Sequence, residues 1–448
     1  MSEYKDKLDT EIEERKSKKI ITIPFDRNRI PPKQNIFFMP FIWFISWLIT
    51  LRAGLKIKKV GMKNLKPPFL VLGSHHSFTD FYITPLALFP HRANYVSELE
   101  GFEAFGEWLY RQAGCLGTRK FVNDMALVKN IKRVMERKGI LVLYPEARYS
   151  NVGTNSTLTD SLGKLIKLLK VPVVVINMKG NYLQSPIWNL TQRKEARLET
   201  TVTKVLCAEE LSILSTSEII EKLQKYLTYD EYAWQFETKQ KITFPKRAEG
   251  LELVLYKCPL CKTEFEMETQ GAALRCKHCN TTWHMNEYGR MKLIDKIDAP
   301  IENNFSHIPD WYEWQRLQVM QEIDSGTYQL NASVHIESLP NAVNFIDLGD
   351  GTLTHNEKGF SLTLIEYGEQ TERTLFFASA SMSSVHTEYN YRGKGQCIVP
   401  STPDNSYFLF PQSEGFNVTK IQFAVEYLYE KAHATEVSFF RLQTRRNI

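Results

Sequence analysis

A histidine and an aspartate form the first pair of residues that could do chemistry. His75 and Asp80 lie in the segment SHHSFTD (residues 74–80), directly after the apolar run Phe69–Gly73. At a strand-to-helix turn, this spacing can place a carboxylate on one imidazole nitrogen and leave the other nitrogen facing a cleft. A neutral imidazole near pH 7 can take the proton of an alcohol, and the carboxylate would stabilise the imidazolium that forms. The pair predicts acyl transfer to an alcohol; two satisfied polar residues of a core would give the same pattern.

Two further segments contain cations, and the second of them also contains a carboxylate. The segments GCLGTRKF and YPEARYS contain the candidate residues for binding an anionic substrate, namely Arg119, Lys120, Glu146 and Arg148. Arginine suits phosphate because its planar guanidinium donates two parallel hydrogen bonds, whereas lysine offers a point charge. The alternative for each segment is a solvated charged turn.

Together these segments resemble the glycerolipid acyltransferase family, which includes the 1-acylglycerol-3-phosphate acyltransferases. Members carry an N/S-H-x-S-x-x-D block, and SHHSFTD matches it with His75 and Asp80 in the catalytic positions. In the family, a glycine-led segment ends in an arginine that holds the acceptor's phosphate; here the offset leaves Arg119 or the adjacent Lys120 for that role. The resemblance covers residues 35–235, a little under half of the chain.

The segment YPEARYS departs from the family pattern F-P-E-G-T-R-S at two positions. Glu146 aligns, but Ala147 replaces the glycine, and Arg148 comes one place early, so that Tyr149 stands where the arginine is expected. The resemblance implies that Glu146 positions one of the arginines instead of acting as a base. The departures leave the substrate preference open.

The resemblance implies an enzyme that moves a fatty acyl group from a thioester donor to the free hydroxyl of a lysophospholipid. The expected acceptor is 1-acylglycerol-3-phosphate, which would give phosphatidic acid, and the donor is acyl-CoA or acyl carrier protein. We expect direct transfer without an acyl-enzyme. The competing hypothesis is a non-catalytic membrane adaptor built on a degenerate acyltransferase fold, which the altered YPEARYS segment favours.

Four of the seven cysteines form two C-x-x-C pairs separated by fourteen residues. Two such pairs can close four thiolates tetrahedrally around Zn²⁺, and four sulfurs leave no open position for catalysis. The sequence therefore predicts a zinc ribbon with a structural ion, bound by Cys258, Cys261, Cys276 and Cys279. Redox pairs, or a ligand exchange with His278 or His284, are the alternatives. One hypothesis for the ribbon is recognition of the acyl carrier protein.

The run Ile36–Leu51 has sixteen residues without a charge and contains Pro40, Trp43 and Trp47. A straight helix of this length measures about 24 Å, which is short of the roughly 30 Å hydrocarbon core of a bilayer. Aromatic residues followed by a basic cluster are typical of an interfacial segment. We expect it to lie in one leaflet without crossing; a core helix or strand pair of a soluble domain is the alternative.

Apolar runs and amphipathic stretches alternate between Val60 and Leu206, which predicts an α/β domain with a mainly parallel sheet. Buried strands are expected in the runs 69–73, 139–145 and 171–178, and an amphipathic helix over 217–236 should end the domain. After Gly326 several strand-like segments precede one helix (418–432), so a mostly-β C-terminal domain, a small barrel or sandwich, is predicted. The predicted divisions are a charged N-terminal segment (1–34), a membrane-associated acyltransferase domain (35–236), the zinc ribbon (250–295), and a helix with the β domain (300–448).

The composition limits which binding partners and which cellular compartment are expected. The chain is 43% hydrophobic and 24% charged, which is typical of globular proteins and excludes disorder as the main state. A net charge of +5 is too mild for a nucleic-acid binder, so no nucleic acid is expected, whereas anionic membrane lipids are. Seven cysteines, three of them isolated (Cys115, Cys207 and Cys397), and a charged start predict a reducing compartment and the cytoplasmic face of a membrane.

Overall fold

The computed structural model describes residues 23–156, 158–191, 193, 195–295, 303–413 and 415–433. Most of the predicted charged N-terminal segment, residues 1–22, therefore lies outside the described residues. The part that is described runs along the protein surface and into its core. Phe25 packs edge-on against Phe102, and its backbone amide donates to the carbonyl of Pro340.

The first sheet of the described chain has seven strands in the order β1-β7-β6-β2-β5-β3-β4. Every neighbouring pair is parallel except β6 and β7, so the predicted mainly parallel α/β fold is confirmed. The three runs predicted as buried strands are β2, β5 and β6. The strands are β1 (Lys56–Val60), β2 (Phe69–Gly73), β3 (Asn94–Glu98), β4 (Cys115–Thr118), β5 (Ile140–Leu143), β6 (Val173–Lys179) and β7 (Glu199–Leu206).

Ten helices of the described residues accompany this sheet. They are α1 (Met39–Leu51), α2 (Asp80–Leu88), α3 (Leu99–Phe105), α4 (Glu107–Gln112), α5 (Met125–Glu136), α6 (Asp160–Leu169), α7 (Asn181–Gln184), α8 (Glu210–Ile213), α9 (Thr216–Leu227) and α10 (Glu231–Glu237). The single helix predicted over 217–236 was wrong. Asp230 starts a second helix there, because its side chain accepts a hydrogen bond from the amide of Ala233 and so caps α10.

The first cysteine pair precedes a small antiparallel sheet and the second lies at the end of one of its strands, and the C-terminal part is mostly β, as predicted. The small sheet contains β8 (Met267–Gln270), β9 (Ala273–Cys276), β10 (Thr282–Met285) and β11 (Met291–Leu293). Helix α11 (Ile308–Asp324) follows. The third sheet has the order β15-β14-β13-β12-β18-β17-β16, and helix α12 (Val418–Ala432) packs on it. Its strands are β12 (Leu330–Ser338), β13 (Ile346–Asn356), β14 (Gly359–Ile365), β15 (Glu372–Ala378), β16 (His386–Glu388), β17 (Cys397–Val399) and β18 (Tyr407–Pro411).

The apolar cores extend across the predicted domain boundaries. One cluster joins Phe69 and Val71 of the first sheet to Leu339, Cys397 and Phe408 of the third. A second cluster runs from Val152 through the small sheet to helix α12. Since both clusters consist of buried side chains, the acyltransferase-like part and the C-terminal part form one packed body.

Candidate active site

His75 and Asp80 form a buried pair at the carboxyl end of β2, as the sequence predicts. The Nδ1 atom of His75 lies 3.0 Å from Oδ2 of Asp80, and the two side chains are 10% and 0% exposed. Asp80 is the first residue of α2, where the helix dipole favours a negative charge. Its carboxylate also accepts hydrogen bonds from the His76 amide (2.7 Å) and from Nδ2 of Asn181 (2.7 Å). Because a carboxylate holds Nδ1–H, Nε2 is left to act as the base.

Two tyrosine rings enclose the imidazole of His75. The ring of Tyr144 stacks on it at 4.3 Å, and the ring of Tyr149 lies 4.5 Å away. Tyr144 can approach because β2 ends in glycine: a Cβ at Gly73 would come within 2.6 Å of that ring. The neighbouring His76 has another role. It is fully buried, bonds the hydroxyl of Ser74, and burial lowers its pKa to about 4, so it is a neutral core side chain.

Glu146 of the YPEARYS segment forms no ion pair with an arginine among the described residues. Its carboxylate accepts hydrogen bonds from the amide of Ser156 (2.8 Å) and from the hydroxyl of Tyr229 (3.2 Å). Burial raises the pKa of Glu146 to about 7. The link to Arg148 is indirect, because Nη2 of Arg148 donates to the hydroxyl of Ser156 at 3.1 Å. Ala147 adopts a φ of 54°, the left-handed conformation for which a glycine would be better suited.

Arg148, predicted to bind an anionic substrate, is turned toward the C-terminal helix. Its Nη1 atom lies 2.5 Å from Oε1 of Glu426 and 3.0 Å from the hydroxyl of Ser384. Glu426 also binds Arg316 at 2.6 Å. Burial would lower the pKa of Arg148, but the carboxylate of Glu426 more than offsets this and raises it.

Arg119 and Lys120 are also engaged by the C-terminal part. One terminal nitrogen of Arg119 donates to the carbonyls of Leu339 (3.1 Å), Pro340 (2.9 Å) and Asp404 (2.9 Å), while its Nε and Nη1 atoms are buried without a partner among the described residues. Burial lowers the pKa of Arg119 to about 10.

Lys120 sits in a group of acidic side chains and one histidine. Its ammonium pairs with Glu98 and lies 3.0 Å from Nε2 of His386. That imidazole in turn contacts Glu388 at 2.9 Å and Glu100 at 3.8 Å. No local pattern predicts this cluster, because His386 and Glu388 come from a strand more than 260 residues after Lys120.

The four cysteines of the two C-x-x-C pairs converge, as their spacing predicts. Their sulfur atoms all lie within 4.8 Å of one another, and the Sγ atoms of Cys258 and Cys279, and of Cys261 and Cys276, are 3.7 Å apart. Four sulfurs about 2.3 Å from a central Zn²⁺ would be separated by about 3.8 Å, the edge of the tetrahedron. The sulfur positions therefore fit a tetrahedral zinc ion. His278 and His284 are not part of this group.

Helix α1 presents its apolar residues outward. Its buried residues are Met39, Ser46 and Thr50, two of which are polar. The exposed ones include Phe41, Phe44, Trp47, Leu48 and Leu51, and the nearby side chains of Phe37, Phe78, Phe105 and Trp108 are 46–88% exposed. The alternative of a core segment is therefore excluded. Of the helices described, none is both long and apolar enough to cross a bilayer.

Comparison with known proteins supports the interpretation of the first sheet. Residues 56–179 match the family model described as Acyltransferase, and this range contains all six predicted catalytic and substrate-binding residues. None of the curated proteins compared matches the chain. A solved structure of the 1-acyl-sn-glycerophosphate (LPA) acyltransferase PlsC from Thermotoga maritima is 15% identical, with a TM-score of 0.35 over 43% of this chain and 77% of that chain. The family match identifies residues 56–179 as an acyltransferase domain.

Proposed function

We propose that this protein transfers a fatty acyl group from a thioester donor to the free hydroxyl of a lysolipid. The observation that carries the proposal is the buried His75–Asp80 pair, 3.0 Å apart, within a segment that matches an acyltransferase domain. The donor is acyl-CoA or acyl carrier protein. The acceptor predicted from the sequence is the lysophospholipid 1-acylglycerol-3-phosphate, and its product would be phosphatidic acid.

The chemistry follows from the geometry of the pair. Nε2 of His75 takes the proton of the acceptor hydroxyl, and the oxygen attacks the thioester carbonyl. The tetrahedral intermediate then collapses, the C–S bond breaks, and the imidazolium returns its proton to the leaving thiolate. Asp80 holds Nδ1–H throughout and stabilises the imidazolium by its charge. No group of the protein becomes acylated.

The same proposal places the protein on a membrane surface, at the cytoplasmic face. A helix with polar residues inward and large apolar residues outward would expose this apolar area to water unless lipid covered it. Substituting Phe41 and Trp47 together by serine should reduce flotation with anionic vesicles at least tenfold. The matched control is Phe376→Ser, which removes an equally exposed aromatic residue from the third sheet. Equal flotation of all three proteins would rule out α1 as the membrane contact.

We further propose that Cys258, Cys261, Cys276 and Cys279 hold a structural zinc ion. The bound ion would fix the small sheet β8–β11, which packs into the same apolar cluster as helix α12. Its role is to stabilise the fold, since four sulfurs leave no coordination position for a substrate. Metal analysis of the purified protein should find one zinc per chain.

The transferase is tested with purified full-length protein, vesicles and a labelled acyl donor. Acyl-CoA and acyl carrier protein are each offered with several lysophospholipids. His75→Ala should lower the transfer rate by at least about 10²-fold, the contribution of a positioned base. His76→Asn is the matched control, since this buried neighbour does not contact Asp80 through its ring, and it should retain activity if folded. Absence of transfer by folded wild-type protein would favour the adaptor hypothesis.

A further inference from the structure

The cations that could bind a phosphate near His75 already have anionic or carbonyl partners. Arg148 lies one place from the position where the resemblance implies an arginine. Glu426 and Ser384 nevertheless hold its guanidinium inside the protein, where its side chain is 10% exposed. A phosphate monoester would have to displace a buried carboxylate from this arginine. That exchange gives up one charge-assisted hydrogen bond for each one that it forms.

The surroundings of Lys120 are acidic. Its ammonium contacts Glu98 and Nε2 of His386; Glu388 contacts the same imidazole nitrogen, and Glu100 lies at the other nitrogen. Burial would lower the pKa of Lys120, but the charges of these glutamates raise it, which shows that carboxylates dominate the field at this position. A dianion approaching Lys120 would therefore meet like charges.

Arg119 keeps two unpaired nitrogens, but they do not form a phosphate site. Both are buried, and the third nitrogen is fixed by the carbonyls of residues 339, 340 and 404. After burial, the strongest influence on the pKa of Arg119 is the carboxylate of Glu100, which raises it. Because both nitrogens are buried, an anion could reach them only by displacing the groups packed around them.

The wall next to His75 is aromatic where the resemblance leads one to expect an arginine. Tyr149 occupies that position, and its ring lies 4.5 Å from the imidazole. Phe81 lies on the open side of the imidazole at 6.4 Å, and Phe78 and Phe105 continue this aromatic surface outward. A phosphate monoester beside His75 would thus face rings that donate few hydrogen bonds.

These contacts are part of the permanent fold. Leu339, Phe408 and Cys397 of the third sheet are buried in the same apolar cluster as strand β2. Freeing Arg119 and Arg148 would require separation of this core, which exposes apolar side chains to water. The third sheet therefore does not act as a lid that opens for each acceptor.

From these contacts we propose that the acceptor hydroxyl is carried by a lipid whose headgroup has no phosphate monoester, being uncharged or ending in an amine. The proposal rests on the proposed acyl transfer and refines its acceptor. An uncharged or cationic headgroup needs no free guanidinium, and an ammonium is favoured by the carboxylates of Glu98 and Glu388. The selection works by exclusion, because a dianion would be placed among buried carboxylates, while Lys120 and Arg148 already pair with glutamates and the unpaired nitrogens of Arg119 are buried.

The test compares three acceptors that carry the same acyl chain, using full-length wild-type protein and one labelled thioester. They are 1-acylglycerol-3-phosphate, the corresponding monoacylglycerol and the corresponding lysophosphatidylethanolamine. We expect kcat/KM for the phosphate monoester to be at least tenfold below that of the better of the other two. An equal or higher value for the phosphate monoester would overturn the inference and leave the transferase intact. Transfer to none of a wider set of hydroxyl acceptors would instead overturn the proposed function and this inference with it.

A variant tests the exclusion directly. Glu98→Gln removes one carboxylate from Lys120 and should raise the relative kcat/KM for the phosphate monoester about fivefold, with little change for the monoacylglycerol. Glu103→Gln in the following helix α3 is the matched control and should not alter the ratio. An unchanged ratio in a folded Glu98→Gln protein would overturn the role assigned to this cluster. The wild-type comparison stands by itself if the variant does not fold.

Discussion

Glu426 connects the C-terminal helix to two arginines, and removal of its charge is the sharpest test of how the parts of the chain are held together. Its carboxylate lies 2.5 Å from Arg148 and 2.6 Å from Arg316, and it accepts a hydrogen bond from Ser384 at 2.8 Å. The three charged side chains are only 10–16% exposed. Glu426→Gln keeps the size of the side chain and one acceptor oxygen, but it leaves Arg148 without a carboxylate partner and Arg316 with Glu313 alone.

The expected loss follows from the burial of this network. Breaking a buried ion pair by removing one partner costs about 3–5 kcal/mol. Since glutamine retains one acceptor, we expect a value near the lower end, about 3 kcal/mol of the free energy of unfolding. Glu313→Gln is the matched control, because Glu313 pairs with the same Arg316 but is 52% exposed. Exposed pairs of that kind contribute about 0.2–1 kcal/mol.

The assay is urea unfolding of both variants and wild type, followed by tryptophan fluorescence at neutral pH and again in acid. Burial alone would raise the pKa of Glu426, but Arg148 and Arg316 lower it to about 2. A lowered pKa gives stability that is present above the unfolded pKa and is lost as the pH falls through the folded pKa. The gap between wild type and Glu426→Gln should therefore shrink from about pH 5 toward pH 2. A loss no larger than that of Glu313→Gln at neutral pH would refute the reasoning.

Three other predictions concern the site and the ribbon. Asp80→Asn should lower the transfer rate by about 10²- to 10⁴-fold in steady-state assays, because an amide can hold the wrong imidazole tautomer. Burial raises the pKa of Glu146 to about 7, so its contribution to stability is present at acidic pH and is lost as the pH rises through 7. Melting temperatures of Glu146→Gln and wild type measured from pH 5 to 8 should show that loss in the wild type only. Cys276→Ser should abolish the zinc content and lower the melting temperature, and an unchanged temperature would argue against a structural ion.

Those parts of the site that depend on neighbours in sequence could be predicted. His75 and Asp80 meet because a strand end and the first turn of a helix bring residues of that spacing together, and the two C-x-x-C pairs converge through short strands. The break before α10 had a signal, namely the capping residue Asp230, which the continuous amphipathic pattern concealed.

The partners of the predicted phosphate-binding residues could not be predicted. Glu426 lies 278 residues beyond Arg148, and the carbonyls that hold Arg119 lie at least 220 residues away. A motif shows which side chains a segment contains, but it does not show which residues later in the chain will pair with them. The local pattern therefore predicted that His75 and Asp80 meet, whereas the contacts of Arg119 with carbonyls and of Arg148 with Glu426 depend on distant residues.

The proposed base depends on residues that are close in sequence, whereas its surroundings depend on residues from distant parts of the chain. The segment that matches the acyltransferase family contains the proposed base, but Arg119, Lys120 and Arg148 are held by residues from the third sheet and helix α12. Because those contacts lie over a shared apolar core, the geometry around His75 is set by both halves of the chain at once. We therefore expect the part of the protein that the acyltransferase motifs do not cover to influence substrate selection, since it determines which charges remain available beside the imidazole.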